Sequence, residues 1–206
     1  AIMMHKTLTG LLTAATLTLG TWSVQAADYL IDTKDAHAFI QFKIAHLGYS
    51  WLLGRFNTFS GEFSYDESDP SASKVTVDID VTSIDSNHAE RDKHLRGDDF
   101  LDVKTYPKAR FVSTGFEELG DGKAKLSGEL TLHGVTKPLT IDVSHIGHGP
   151  DPWGGYRRGF EGKTRFALAD FGIDYNLGPA SKEVELYLSL EGIRQGSGNK
   201  PGPKKP

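Results

Sequence analysis

The sequence predicts an all-β domain, an antiparallel barrel or sandwich of roughly eight or nine strands. Apolar and polar residues alternate along most of the chain, the pattern of strands with one buried and one wet face. Turn-forming residues recur between the alternating runs, at Asp69-Pro70, Gly120-Asp121-Gly122, His133-Gly134 and Gly147 to Gly155. The chain has 206 residues and no cysteine, so its core must hold it without disulfides. Thiol catalysis and cysteine metal sites are excluded on the same ground.

In chain order, residues 3–26 read as a secretory signal peptide. His5 and Lys6 form a short polar n-region, Leu8 to Leu19 is apolar apart from threonines and one glycine, and Val24-Gln25-Ala26 supplies small residues for cleavage before Ala27. The apolar part is about a dozen residues against the ~20 of a spanning helix, so stable membrane insertion is not expected. Tyr29–Asp32 is a weak strand. Ala38, Ile40, Phe42 and Ile44 share one face of the next. Leu47 to Gly54 is apolar and glycine-bounded, and reads as a short helical turn or an insertion at a barrel mouth. Ser60–Tyr65 is a second weak strand, and Val75, Val77, Ile79 and Val81 then alternate with Thr76, Asp78, Asp80 and Thr82.

Asn87 to Gly97 breaks the period of two. A capping-type residue opens it and a glycine closes it, which fits a helix of about two to three turns. Ala89, Leu95 and Phe100 are expected to face the body, with Glu90, Asp92 and Lys93 outside. Arg110–Phe116 is a weak strand. Ala124 to Leu132, Leu139 to Val143 and Val184 to Leu190 alternate clearly, and Gly159–Leu168 less so. Residues 27–195 thus form one domain. Gly196 to Pro206 is rich in Gly, Pro and Lys and reads as a disordered tail with the composition of a vector-encoded extension.

Chemistry-bearing motifs are scarce. Lys6 is the only charged residue before Ala27, so removing the leader takes the formal charge from −4 to −5. A mildly acidic domain without a basic run argues against nucleic acid. Phosphate loops, dinucleotide fingerprints and nucleophile elbows are absent, and no cofactor is indicated. His88 and His94 lie six apart, on different faces of a helix, and His145 and His148 lack an obvious third ligand; no metal site is expected. The aromatic run Trp51, Phe56, Phe59 and Phe63 suits either a packed core or the wall of a ligand cavity, since a barrel of about eight strands can be filled or hollow.

Several blocks carry a resemblance. They are His37-Ala38-Phe39, His46 to Trp51, Asn87 to Arg96, Leu132 to Pro138, Asp151-Pro152-Trp153-Gly154-Gly155 and Leu177 to Ser181. In this order they resemble the YceI-like family of lipid-binding proteins over Ala27 to Gln195, most closely its periplasmic branch, some of whose members respond to stress. The resemblance implies a lipocalin-like antiparallel β-barrel with one short helix packed at one end. It also implies a periplasmic carrier of a long-chain isoprenoid lipid, of polyprenyl or isoprenoid-quinone type, with no catalysis.

On that reading the candidate cavity-wall residues are Phe42, Ile44, Trp51, Phe56, Val77, Ile79, Phe111, Leu130, Phe166 and Leu188. The candidate head-group residues are Arg91, Arg96 and His46. Burying a chain of ~40 carbons at roughly 0.8 kcal/mol per methylene would give about 30 kcal/mol gross. That exceeds the practical affinity ceiling of about 18–21 kcal/mol, so ordering costs much of it or part of the chain stays outside. Two rival readings remain. One is an enzyme acting on a lipid, a quinone or a periplasmic redox partner, using His46 with Asp85 or His88. The other is a stress-related binding or inhibitory module acting through its surface. Tyr187 and Ile193 offer an outer face for a homodimer.

Overall fold

The computed structural model describes residues 26–196. The segment expected to be a signal peptide, apart from Ala26, and the expected tail beyond Gly196 lie outside the described residues. The strands are β1 (Ala27–Ile31), β2 (Ala38–His46), β3 (Ser50–Phe56), β4 (Phe59–Tyr65), β5 (Lys74–Asp80), β6 (Ile84–Asp85), β7 (Lys108–Gly120), β8 (Lys123–Leu132), β9 (Val135–Pro150), β10 (Tyr156–Ala167) and β11 (Glu183–Arg194), with one helix, α1 (Ala89–Leu95), between β6 and β7. The segment 47–54 is not helical: its first residues turn the chain and the rest belong to β3, which pairs with β2 from His46↔Ser50 to Ile40↔Phe56.

These eleven segments occupy eight lanes. The closed circuit runs β1-β4-β5-β7-β8-β9-β10-β11 and returns to β1, with antiparallel pairing throughout. β1 and β2 share one lane, because both pair with the same edge of β11, at Ile31↔Gly192 and Ala38↔Leu190. β3 and β4 share the next lane, interrupted at Asn57 and Thr58. The amide of Asn57 donates to Ser83 O (3.2 Å) and the Asp80 amide donates to Thr58 O (3.0 Å), so neighbouring backbone bridges the break. β6 continues the lane of β5, pairing with β3 at Phe56↔Ile84. Closure covers the sheet edges around most of the barrel, while β3 meets β6 only at Arg55 and Phe56, so its residues 50–54 are paired on the β2 side alone.

The alternating residues point as the pleat demands. On β8, Ala124, Gly128, Leu130 and Leu132 are buried, and on β9 so are Leu139, Ile141 and Val143. Large inward rings lie over glycines of adjacent strands or, for Phe63 on β4 and Gly192 on β11, across β1. A Cβ on Gly54 would stand 2.1 Å from the Phe42 ring, on Gly128 2.3 Å from Phe111, and on Gly192 2.4 Å from Phe63.

The interior is layered along the barrel axis. On β5, β7 and β8 the residues Ile79, Ala109 and Leu130 line one cavity, and Val75, Phe116 and Leu126 line a smaller one of about 80 Å³. Between them Val77, Phe111 and Gly128 form a packed floor with Leu139 of β9. Below the small cavity the barrel is stopped by Arg158, 3% exposed. Its guanidinium lies 4.2 Å over the Tyr65 ring and pairs with Glu67. The burial of Tyr65, with the Glu118 carboxylate accepting from its hydroxyl (2.9 Å), pushes that phenol up to about 12.

Candidate functional site

The larger interior cavity has a volume of about 560 Å³. It opens at the end that carries the β2–β3 hairpin, α1 and the connection between β10 and β11, because Leu47 and Tyr175 line it while exposed to solvent. Its wall is predominantly aliphatic and aromatic, which suits a long apolar ligand.

The sequence-predicted residues divide by layer. Phe42, Ile44, Phe56, Ile79, Leu130 and Phe166 line the cavity together. Val77 and Phe111 point inward but belong to the packed floor. Leu188 lines the small cavity beneath it. Trp51 is on the outer surface: alternation along β3 turns Leu52 inward and Trp51 outward, where the Lys43 ammonium lies 4.3 Å over its ring.

The polar candidates divide as well. His46 and Arg91 are at the cavity. Arg91 is oriented by Ser86, donating from Nε to Oγ (2.7 Å) and from Nη2 to the carbonyl (2.5 Å). Arg96 is not at the cavity. It donates to Thr82 O and Ile84 O, both at 2.8 Å, and so ties the end of α1 to the barrel wall. Asp92, expected outside, is buried and accepts from the amide (2.8 Å) and hydroxyl (2.5 Å) of Ser86. Ala89, expected to face the body, is exposed. The helix cap is His88, whose Nδ1 accepts from the Arg91 amide at 3.2 Å.

Sequence reasoning missed much of the mouth. Leu101, Ile173, Tyr175 and Leu177 line the cavity from segments without periodicity, beside Phe100, which faces the body as expected. The edge of the His94 ring meets Phe100 and Tyr175, at 5.0 and 5.5 Å between centroids, and its Nε2 lies 2.9 Å from Asp99. Leu132 and Leu186 were readable as inward by alternation, but their depth along the axis was not, and Ala109 lies just before the segment Arg110–Phe116 read as a strand.

The clusters required for other chemistry are placed elsewhere. Asp85 lies outside the barrel beside Asn57 (3.1 Å) and Arg55 (3.7 Å), not with His46. Among the described residues one group has the spacing of a metal site, Asp32, His37 and Glu191. Its carboxylates are already taken by Arg157, which reaches Asp32 at 2.7 Å and Glu191 at 2.5 Å. A wider groove of about 740 Å³ crosses the outside of β10, β11, β2 and β3. Its charges pair with one another, Lys43 with Glu185 at 2.9 Å and Arg165 with Glu185 at 3.1 Å, so the inner cavity is the stronger ligand site.

Fold and site together define a closed eight-stranded antiparallel barrel with an apolar cavity open at one end. The family model of the YceI-like domain matches residues 29–192, and the chain belongs to that family. It is 59% identical over 194 residues to a UPF0312 protein of Pseudomonas aeruginosa, spanning 94% of this chain and all of that one. Two solved structures share the fold. The Burkholderia cenocepacia protein BcnA is 23% identical, with a TM-score of 0.69 over 78% of this chain and 98% of its own. A polyisoprenoid binding domain from Saccharophagus degradans, described as implicated in plant cell wall breakdown, is 18% identical, with a TM-score of 0.60 over 81% of this chain and 98% of its own.

Proposed function

We propose that this protein is a carrier of a long-chain isoprenoid lipid, of polyprenyl or isoprenoid-quinone type, exported to the periplasm and doing no chemistry on its cargo. The observation that carries this is the apolar cavity of about 560 Å³, floored at one end and open at the other. The polyisoprenoid-binding description of the Saccharophagus degradans neighbour supports the same cargo class. An apolar cavity of about 150 Å³ accommodates benzene, or about 25 Å³ per carbon, so this one holds about 22 carbons. A longer isoprenoid would leave its remaining length at the mouth. His46 and Arg91 would then meet the emerging chain or its polar head.

Protein recovered without detergent from the periplasmic fraction is extracted with organic solvent, and the extract is analysed by mass spectrometry. A stoichiometric isoprenoid is expected, and the intact protein is expected to begin at Ala27. A clean extract from folded protein that also fails to take up added polyprenol or quinone would sink the carrier reading. Ala109→Phe, which projects a ring into the void, should cut loading several-fold without lowering the melting temperature.

A further inference from the structure

The hairpin joining β2 to β3 carries apolar side chains that the barrel leaves uncovered. Leu47 is 58% exposed, Tyr49 86%, Trp51 59% and Leu53 63%. Leu47 and Gly48 both take positive φ, +51° and +80°, so the tip is a tight turn. It rests on the β10–β11 connection, where Ser181 Oγ donates to the Ala45 carbonyl. Leu47 lines the cavity as well as facing solvent, so an apolar path runs from this tip into the interior.

The charge on the hairpin is one-sided. No Asp or Glu occurs between Asp35 and Glu62, in a chain with 27 of them, while Lys43 and Arg55 stand on the same two strands. Glu185 pairs with Lys43 and Asp85 with Arg55, but both acids come from other strands. Trp and Tyr combine an apolar body with a polar edge, the chemistry that settles at a membrane–water boundary. Two aromatics and two leucines, each part-exposed, offer less than the roughly 800 Å² that a stable protein interface buries on each partner.

We propose that this tip seats the protein on the interfacial layer of a lipid bilayer, with Tyr49 and Trp51 among the head groups and the cavity mouth turned to the lipid. Seating depends on the outer tip and not on what the cavity holds.

The test uses protein recovered without detergent from cells expressing the whole chain, floated with vesicles of phosphatidylethanolamine and phosphatidylglycerol. The wild type is expected to float, and Tyr49→Ser with Trp51→Ser to lower vesicle affinity by at least about tenfold. Neither residue lines the cavity, so the solvent extract and melting temperature of the double variant should match the wild type. Since the chain has no cysteine, Ser50→Cys takes a single environment-sensitive fluorophore. Its emission should move to the blue on vesicles, and the same label at Ser71→Cys, at the far end of the barrel, should not move. The proposal is overturned if the wild type stays in solution, or if the double variant floats equally well. It is equally overturned if the tip instead holds a dimer that the double variant dissociates and neither protein floats.

Discussion

Arg157 shows how one side chain can organise the closed end of the barrel. It donates to Asp32, Asp151 and Glu191, and the Asp151 carboxylate also accepts from the amides of Trp153 (2.9 Å) and Gly155 (2.7 Å), which shapes the β9–β10 turn. Burial opposes ionisation of Asp32, yet hydrogen bonds from His37, Arg157 and the Asp35 amide hold its carboxyl below the usual value. Arg157→Met would leave the buried Asp32 without its main counter-charge. A cost of about 3–5 kcal/mol is expected for a buried pair broken from one side, read as a lower urea midpoint at unchanged slope. None of this was legible in the sequence, because Asp32 and Arg157 are 125 positions apart. The glycines under aromatic rings were equally hidden. Gly128 fits the alternating face of β8 like any small residue, and only the Phe111 ring on the adjacent strand shows why no side chain fits there.

At the scale of elements, α1 is a seven-residue helix. A helix that short does not persist alone in water, so its place at the mouth depends on ties to the barrel. Arg96 bonded to two backbone carbonyls and Asp92 bonded to Ser86 are those ties. Arg96→Ala should weaken this attachment by about 1.5–3 kcal/mol, the range for hydrogen bonds involving a charged group. Hydrogen exchange is expected to speed up across residues 89–107 while β8 and β9 keep their protection. Equal acceleration in the barrel strands would show that Arg96 supports the whole fold instead. The helix was visible in the sequence as a break in the period of two. Its inward face was not, because polar bonding buries Asp92 where amphipathic reasoning buries Ala89.

For the whole molecule, closure into eight lanes makes the interior a single stack with a polar stop at one end. His145 stands at that stop, its ring 5.4 Å from Phe160 and 3.2 Å from the His148 ring nitrogen. Burial, with Arg158 and His148 nearby, holds His145 below its ordinary value of 6.5. The unfolded chain therefore takes up this proton first as pH falls below 6.5, and stability declines from there to the folded value. The lowered carboxyl of Asp32 acts lower still: its contribution is full above the ordinary 3.8 and is lost as pH falls through its folded value. Urea midpoints followed from about pH 8 to about pH 3 should fall in two stages, and His145→Gln should remove the first.

The sequence by itself determined which residues share a face, because the pleat sends alternate side chains to opposite faces whatever the neighbours are; on β3 only the structure showed that Leu52 and not Trp51 looks inward. The alternation identified the all-β class and most of the apolar set, including Phe42, Ile79 and Leu130, while the family was legible only through the motif blocks from His37 to Ser181. The tertiary structure alone decided where along the axis that inward face is packed and where it is hollow. Val77 and Ile79 lie on one strand with the same orientation, yet one belongs to the floor and the other lines the cavity. The difference comes from the side chains that other strands bring to each level, and a strand's own pattern does not contain them.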